Sequence, residues 1–236
     1  MIRTGTGTIK IGPPLIIPED ALLEGIDVLD QSIYEVINCK WSLLDQRSKL
    51  IEKGKLIAVV QTRMGSTRLP GKVMKEICGK PMLQLMLERL SKSKLIDEIV
   101  VATTTNPNDN VIFDFAKKNG YNVFRGSEFD CLDRHYKTAI EFNASYIAKL
   151  TPDCPLIDPE VIDIVLDYFL KHLKQFDYVS NAHPPSWPDG LDFEVFHFST
   201  LEKAHKEATT KEHREHTTTY IWSNPDKFLL GNVLMS

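Results

Sequence analysis

An unbroken apolar run at residues 56–60, Leu-Ile-Ala-Val-Val, most constrains the fold of this chain. A strand that is apolar on both faces must be covered on both faces, which is typical of parallel sheets flanked by helices. Helical and strand patterns then alternate along the chain. The predicted helices span 82–93, 106–119, 130–143 and 158–174, and the predicted strands span 98–102, 122–124, 146–150 and 178–180. This alternation predicts a mostly parallel, doubly wound α/β sheet. Residues 193–196 and 228–230 are interpreted as later strands of antiparallel direction, with helices between them.

The first 54 residues follow a different pattern. Two prolines exclude a helix at positions 13 and 14, an apolar strand is predicted at 15–17, and helices are predicted over 18–37 and 41–53. These pieces are too few to enclose a core. We therefore expect an N-terminal helical appendage, residues 1–54, followed by one domain over residues 55–236.

Composition limits the ligands that the chain can bind. Its 236 residues carry a formal net charge of -4, which argues against gripping nucleic acid through bulk positive charge and favours a small anionic ligand. The four cysteines, at 39, 78, 131 and 154, lack C-x-x-C spacing and are interpreted as free thiols. The sequence shows neither a signal peptide nor an apolar run of roughly 18 to 20 residues that could span a membrane. These patterns predict a soluble, cytoplasmic protein.

The loop after the first strand, R-M-G-S-T-R-L-P-G-K at 63–72, combines cations with small residues. The cations are Arg63, Arg68 and Lys72, and Gly65 and Ser66 lie between them. A triphosphate requires positive charge and close approach by backbone N–H groups, and this loop offers both. In open α/β sheets, ligands bind beyond the carboxyl ends of the strands. The sequence therefore predicts a triphosphate-binding loop, with a basic surface loop as the alternative.

The motif R-x-x-S-T-R-L-P-G-K, followed by G-K-P-M and a helix, resembles the signature of cytidylyltransferases that activate acidic sugars. Similar motifs belong to 3-deoxy-manno-octulosonate and sialic acid cytidylyltransferases and to the relatives called spore coat polysaccharide biosynthesis protein F. The resemblance implies that Arg63, Arg68 and Lys72 bind the triphosphate. It also implies that Gln61 and Thr62 lie beside the base or ribose.

The same resemblance extends from about residue 55 to 233. It implies a three-layer α/β/α fold, Rossmann-like, of the nucleotide-diphospho-sugar transferase type. A second, shorter resemblance covers residues 12–37, which are similar to the C-terminal end of class III pyridoxal-phosphate aminotransferases. This segment contains none of that family's catalytic or cofactor-binding residues, and an ordinary strand and helix is the alternative.

Asp153, in T-P-D-C-P-L at 151–156, follows a predicted central strand. A carboxylate there can bind Mg²⁺, which bridges phosphate oxygens and neutralises charge on leaving pyrophosphate. The resemblance implies that Asp153 is the metal-binding aspartate. A turn or cap residue is the alternative.

Three further segments contain candidate substrate-binding residues. In D-C-L-D-R at 130–134 the resemblance places Asp130, Asp133 and Arg134 against the nucleobase, and an Asp130–Arg134 pair on a solvated helix face is the alternative. In L-D-F-E-V-F, Asp192 and Glu194 alternate with apolar residues, so both carboxylates are predicted on one strand face, as a sugar pocket or as the wet side of an edge strand.

The third segment is H-R-E-H at 213–216. Its two histidines are three residues apart, which is not the spacing of a zinc-protease motif. The resemblance implies that Arg214, Glu215 and His216 contact the acceptor sugar, and a solvated charged helix face is the alternative.

The implied reaction is attack by a sugar hydroxyl on the α-phosphate of CTP or another nucleoside triphosphate, with release of pyrophosphate. The implied cofactor is Mg²⁺, and a homodimer is expected by resemblance. The family's R-x-T-V-D-x-P-x-D segment, which supplies a second metal ligand, is absent from the sequence. We therefore expect a domain truncated at its C-terminal end, with nucleotide binding retained and catalysis impaired. The alternatives are a non-catalytic nucleotide-binding module and a glycosyltransferase of the related fold, whose usual D-x-D motif is missing here.

Overall fold

The computed structural model describes residues 2–5, 8–11, 54–66 and 69–235 of the chain. Within this part, no helix combines the length and the apolar character needed to cross a membrane.

The chain divides into two compact units, Met1–Lys53 and Gly54–Ser236. In the first unit, strand β1 (Ile2–Gly5) pairs antiparallel with strand β2 (Thr8–Ile11). This hairpin was not predicted. The predicted appendage helices and the aminotransferase-like segment fall on residues 12–53, which lie outside the described residues.

A seven-stranded sheet forms the centre of the second unit. The strands of this unit are β3 (Leu56–Gln61), β4 (Glu76–Ile77), β5 (Lys80–Pro81), β6 (Glu98–Thr104), β7 (Asn122–Gly126), β8 (Tyr146–Leu150), β9 (Tyr178–Ser180), β10 (Glu194–His197) and β11 (Leu230–Asn232). The central sheet has the order β11-β9-β10-β8-β3-β6-β7, and β4 and β5 form a separate small hairpin. Within the central sheet β10 runs antiparallel to both of its neighbours, and every other pairing is parallel.

In the described part of this unit, four helices alternate with strands and three more lie between β10 and β11. They are α1 (Met82–Leu90), α2 (Asn110–Lys118), α3 (Cys131–Glu141), α4 (Pro159–Lys171), α5 (Phe198–Glu207), α6 (Lys211–Glu215) and α7 (Thr219–Trp222). Aspartate side chains cap two helix starts. Asp158 accepts a hydrogen bond from the Glu160 backbone N–H, and Pro159 occupies the first turn. Asp130 caps α3 in the same way, through the N–H of Asp133.

The strand that contains the apolar run is buried from both sides, as predicted. Ile57 and Val59 belong to a hydrophobic cluster that includes Leu132 of α3 and Leu201 of α5. Their neighbours along β3 project from the opposite face and are equally buried. Helices therefore cover both faces, and the three-layer α/β/α fold with a mostly parallel sheet confirms the predicted fold class.

The last strand differs from the expectation. It spans Leu230–Asn232 rather than 228–230, and it pairs parallel with β9. The reason is its position: three helices separate β10 from β11, and the chain returns to the far side of β9 instead of forming a hairpin with β10. The antiparallel direction predicted for β10 is confirmed.

Strand register determines which loops meet. In the parallel pair of β3 and β8, Val60 lies opposite Leu150. The segments that follow, beginning at Gln61 and Thr151, therefore leave the sheet at the same edge, side by side.

Candidate active site

A cavity of about 550 Å³ opens at this edge of the sheet. The predicted site residues that line it are Gln61, Thr62, Arg63, Gly65, Ser66, Lys72, Arg134, Asp153, Glu215 and His216. Of the other predicted residues, Arg68 lies outside the described part of the chain, and Asp130, Asp133, Asp192, Glu194 and Arg214 are not among the lining residues. The structure thus brings the basic loop and Asp153 together.

The basic loop is anchored by a buried carboxylate. Asp109 is 2% exposed, and its Oδ1 accepts a hydrogen bond of 2.7 Å from the backbone N–H of Met64. Its Oδ2 accepts a hydrogen bond from the Thr104 hydroxyl at the end of β6. Asp109 therefore fixes the start of the loop to the neighbouring strand.

The loop closes on itself at Gly71. The Gly71 N–H donates to the Met64 carbonyl at 3.0 Å, and Gly71 has φ +67°, in the left-handed region that glycine adopts without strain. A Cβ at this position would lie 3.0 Å from Met64 Cε. A single 3₁₀ turn, Lys72–Met74, starts immediately afterwards, so this turn determines where the Lys72 side chain begins.

Lys72 and Asp153 contact each other across the cavity. Lys72 Nζ lies 2.9 Å from Asp153 Oδ2, and the Asp153 side chain is 47% exposed. Burial raises the pKa of Asp153, but hydrogen bonds from Lys72 and Thr151 lower it by more than burial raises it. The net shift of this pKa is therefore downward. The carboxylate is therefore ionised, accessible and paired with a cation that can exchange it for another anion.

Arg63 extends along the opposite wall. Its Nη1 lies 3.4 Å from the Glu128 carbonyl oxygen, a long hydrogen bond in the loop that follows β7. The Glu128 carboxylate accepts a hydrogen bond of 2.9 Å from the Asn106 side chain. Within the described part of the chain, Arg63 thus has one weak hydrogen-bond partner, which leaves most of its donors available to an anion.

Asp130 and Arg134, both predicted to lie against the nucleobase, have different protein partners at the start of α3. Asp130 forms an ion pair with Arg214, at 2.6 Å from Nη2 and 2.8 Å from Nε, in addition to capping α3. The alternative pair, Asp130 with Arg134, does not form, because Arg134 donates instead to the Ser127 carbonyl and to the Cys131 sulfur. Asp130 and Arg214 hold α3 against α6.

Asp133 also faces protein rather than the cavity. Its two oxygens contact His205 Nε2 at 3.0 Å and Lys137 Nζ at 2.8 Å. Burial raises the pKa of Asp133, and these two partners lower it more. The residue links α3 to α5.

Glu194 is buried, although the alternating pattern predicted a shared strand face with Asp192. Its carboxylate contacts Lys149 Nζ at 2.7 Å and the Tyr178 hydroxyl at 2.9 Å. Burial raises the pKa of Glu194, but Lys149 lowers it by more than burial raises it. The net shift of this pKa is therefore downward. Asp192 lies before the start of β10, and its side chain is exposed; partial desolvation by the surrounding chain and the nearby Asp189 raise its pKa.

Helix α6 and the residue that follows it line the cavity from the C-terminal half of the chain. Lys211, Glu215 and His216 line the cavity and are exposed. Lys211 was not predicted from the sequence, and neither were Glu128 and Phe129 in the loop after β7. The strand-end rule could have found the latter two, since β7 ends at the same edge of the sheet as β3.

Among the described residues, no three His, Cys, Asp or Glu side chains are close enough together to hold a metal ion by themselves. A metal at this site would depend on Asp153 and on ligands that a substrate supplies.

Comparison with known proteins gives a consistent result. The model of the family described as cytidylyltransferase matches residues 57–234. An uncharacterized protein of Methanocaldococcus jannaschii is 45% identical over 174 residues, which cover 74% of this chain and 70% of that protein. The spore coat polysaccharide biosynthesis protein SpsF of Bacillus subtilis is 33% identical over 175 residues, which cover 72% of this chain and 71% of that protein.

Two solved structures resemble this chain in the same way. A cytidylyltransferase from Leptospira borgpetersenii is 37% identical and superposes with a TM-score of 0.75, covering 78% of this chain and 77% of that one. A CMP-2-keto-3-deoxy-manno-octonic acid synthetase complexed with CTP shares the fold at 18% identity, with a TM-score of 0.59 over 77% of this chain and 90% of that one. The chain therefore belongs to the cytidylyltransferase family.

Proposed function

We propose that this protein transfers the cytidylyl group of CTP to a hydroxyl of an acidic sugar and releases pyrophosphate. The observation that carries the proposal is the convergence of Arg63, Lys72 and Asp153 on one cavity of about 550 Å³, a size typical of small-ligand sites. Family membership supports CTP as the donor. The names of relatives that act in spore coat polysaccharide and 3-deoxy-manno-octulosonate metabolism support a sugar as the acceptor.

The basic loop binds the triphosphate in this proposal. Among the described residues, the guanidinium of Arg63 has one long hydrogen bond and Lys72 pairs with the accessible Asp153 carboxylate, so both cations are available to phosphate oxygens. Arg68 belongs to the same loop and is proposed for the same role. Such cations stabilise negative charge that increases as the bond to pyrophosphate breaks, and this is the main catalytic requirement of the reaction.

The residues present fit a Mg²⁺ ion. Asp153 is an ionised, half-exposed carboxylate, and Mg²⁺ is commonly held by one or two carboxylates together with substrate phosphates and water. Asp153 would hold the ion beside the phosphates of CTP. When bound, the ion neutralises charge on the phosphate oxygens. When CTP and Mg²⁺ are both bound, Lys72 would contact the triphosphate in place of Asp153, and Asp153 would contact the ion.

Helix α6 is proposed to bind the acceptor. Lys211 offers a cation for the carboxylate of an acidic sugar, and Glu215 and His216 offer hydrogen-bonding groups for its hydroxyls; all three line the cavity. Gln61 and Thr62, at the end of β3, are proposed to face the base or ribose. Glu194 and Asp192 are proposed to support this pocket indirectly, since neither lines it.

The test is pyrophosphate release with CTP, Mg²⁺ and a panel of nonulosonic and octulosonic acids. We expect acceptor-dependent pyrophosphate release with at least one acid, and a roughly hundredfold loss in Lys211→Met with that acid; turnover of about 1 per second or faster would refute the impaired catalysis predicted from the sequence. The control is Lys80→Met, which removes an exposed lysine paired with Glu88 outside the cavity.

Two results would contradict the proposal. Tight binding of CTP and Mg²⁺ by calorimetry, with no turnover on any acid, would support a nucleotide-binding module. Preferential binding of a nucleotide-sugar over the free triphosphate would support a glycosyltransferase.

A further inference from the structure

Phe129, in the loop after β7, lines the cavity with an exposed aromatic side chain. It is 78% exposed, the largest exposed fraction of any large apolar residue in the described part of the chain. Burying a phenylalanine ring is favourable, and such rings contribute much of the binding energy where a ligand covers them. The Phe129 ring therefore offers binding energy that the protein itself does not use.

The loop holds the backbone of Phe129 from both sides. Before it, the Glu128 carboxylate accepts a hydrogen bond of 2.9 Å from the Asn106 side chain. After it, the backbone N–H of Asp130 donates to the Ser127 hydroxyl at 3.1 Å, and the Asp130 carboxylate caps α3. The ring thus extends from a fixed point at the cavity, so that little ordering of the loop is needed when a ligand binds.

The same loop contacts the segment where the basic loop begins. The Glu128 carbonyl oxygen lies 3.4 Å from Arg63 Nη1, and Cys131 Sγ lies 3.0 Å from Gln61 Oε1. Phe129 lies between these two contacts in the sequence. A nucleotide with its phosphates at Arg63 would therefore have its nucleoside part beside this loop.

Two buried polar groups independently indicate a ligand in the cavity. Thr62 and Arg134 line it and are 2% and 3% exposed, yet among the described residues the Thr62 hydroxyl and Arg134 Nε have no hydrogen-bond partner. A buried donor without a partner is costly, so such groups are usually satisfied by water or a ligand. The edge of a nucleobase carries acceptors that can meet both donors.

The chemistry of the ring favours the base over the other parts of the two substrates. A phenyl face offers no hydrogen bond, whereas the triphosphate and an acidic sugar carry charges and hydroxyls that require polar partners. A nucleobase has two flat faces without hydrogen-bonding groups, and it stacks favourably on aromatic side chains. We propose that Phe129 binds the nucleotide by stacking on its base. This inference rests on the proposed use of CTP and names the side chain that covers the base.

The experiment compares the Kd of CTP with that of inorganic tripolyphosphate, which has no base, by calorimetry with Mg²⁺. We expect Phe129→Ala to weaken CTP binding roughly tenfold and to change tripolyphosphate binding by less than about twofold. Binding of UTP should weaken in the same proportion as that of CTP, because every base presents a flat face. Phe129→Trp keeps an aromatic face and should bind CTP at least as tightly as the wild type.

A spectroscopic signature and a matched control accompany these measurements. In Phe129→Trp, CTP should quench the added indole fluorescence, measured as the difference from the wild type, and tripolyphosphate should not. Ile140→Ala removes another exposed apolar side chain, on α3 and not among the cavity-lining residues, and should bind both ligands as the wild type does.

Four results would overturn the inference and leave the proposed function standing. The first is CTP binding that is unchanged in Phe129→Ala, and the second is an equal loss of CTP and tripolyphosphate binding. The third is a loss confined to the KM of the acceptor, which would place the ring against the sugar. The fourth is a change of oligomeric state on gel filtration, which would place it between two copies of the chain. A wild type that neither binds nor turns over CTP would overturn both proposals.

Discussion

Two lysine–carboxylate pairs of this protein lie in opposite environments. Lys72 and Asp153 are 2.9 Å apart, with side chains 25% and 47% exposed, at the cavity. Lys149 and Glu194 are 2.7 Å apart, with side chains 14% and 10% exposed, inside the sheet. The distance between lysine and carboxylate is similar in both pairs. Water can reach and replace either partner only in the pair of Lys72 and Asp153. The comparison shows that exposure, rather than distance, distinguishes a pair that ligands can separate from a pair that the fold requires.

The largest expected effect is on the buried pair. Glu194→Gln leaves the Lys149 charge without its counter-ion in a buried position, and we expect a loss of about 3–5 kcal/mol in the free energy of unfolding. Asp153→Asn makes the corresponding change in the open pair and should cost less than about 1 kcal/mol. Urea denaturation of both variants measures the difference.

The double variant Lys149→Met/Glu194→Leu checks the cause. It removes both charges and should recover most of the lost stability, because apolar side chains of similar volume tolerate this environment. Equal losses in Glu194→Gln and Asp153→Asn would break the comparison.

The next effect is on catalysis at the open pair. Lys72→Met removes a cation proposed to stabilise the phosphates, and we expect kcat/KM for CTP to fall roughly hundredfold, with the free energy of unfolding changed by less than about 1 kcal/mol. Steady-state kinetics and denaturation on the same preparation measure the two quantities. Lys80→Met serves as the matched control at an exposed pair. A stability loss in Lys72→Met as large as that in Glu194→Gln would contradict the assignment.

The smallest effect concerns pH. Lys149 lowers the pKa of Glu194, so the stability from this carboxylate is present above its unfolded pKa, near 4.5, and is lost as the pH falls through the lower folded value. The Lys149 pKa is raised, because Glu194 outweighs the effect of burial; its contribution is therefore present below 10.5 and lost as the pH rises further. The stability difference between wild type and Glu194→Gln should be flat between about pH 6 and pH 9 and decrease below about pH 4.5, by at most about 1.4 kcal/mol per pH unit. A difference that varies steeply near pH 7 would show that another group controls it.

The sequence predicted the parts of the site that depend on strand ends. The apolar run at 56–60 identified a central strand, and the loop after it and Asp153 both follow strands whose carboxyl ends meet. The same rule applies to Glu128 and Phe129, which were missed because their loop carries no distinctive motif.

Side-chain partners from distant segments could not be predicted. Arg214 pairs with Asp130, 84 positions earlier, and Glu194 pairs with Lys149, 45 positions earlier. A period of two along β10 indicates that two faces differ, but it does not indicate which face another layer covers. Glu194 is buried because Lys149 of the adjacent strand supplies its counter-ion, and that pairing depends on the sheet order.

Asp109 gives the basic loop a dependence that lies outside its own motif. Its two oxygens connect the Met64 N–H to the Thr104 hydroxyl, so the loop takes its position from β6 rather than from β3 alone. Transplanting residues 61–72 into another parallel sheet would therefore transfer the charges without their placement. A designer who wishes to move this basic loop to a new scaffold must carry the neighbouring strand end and its aspartate along with it.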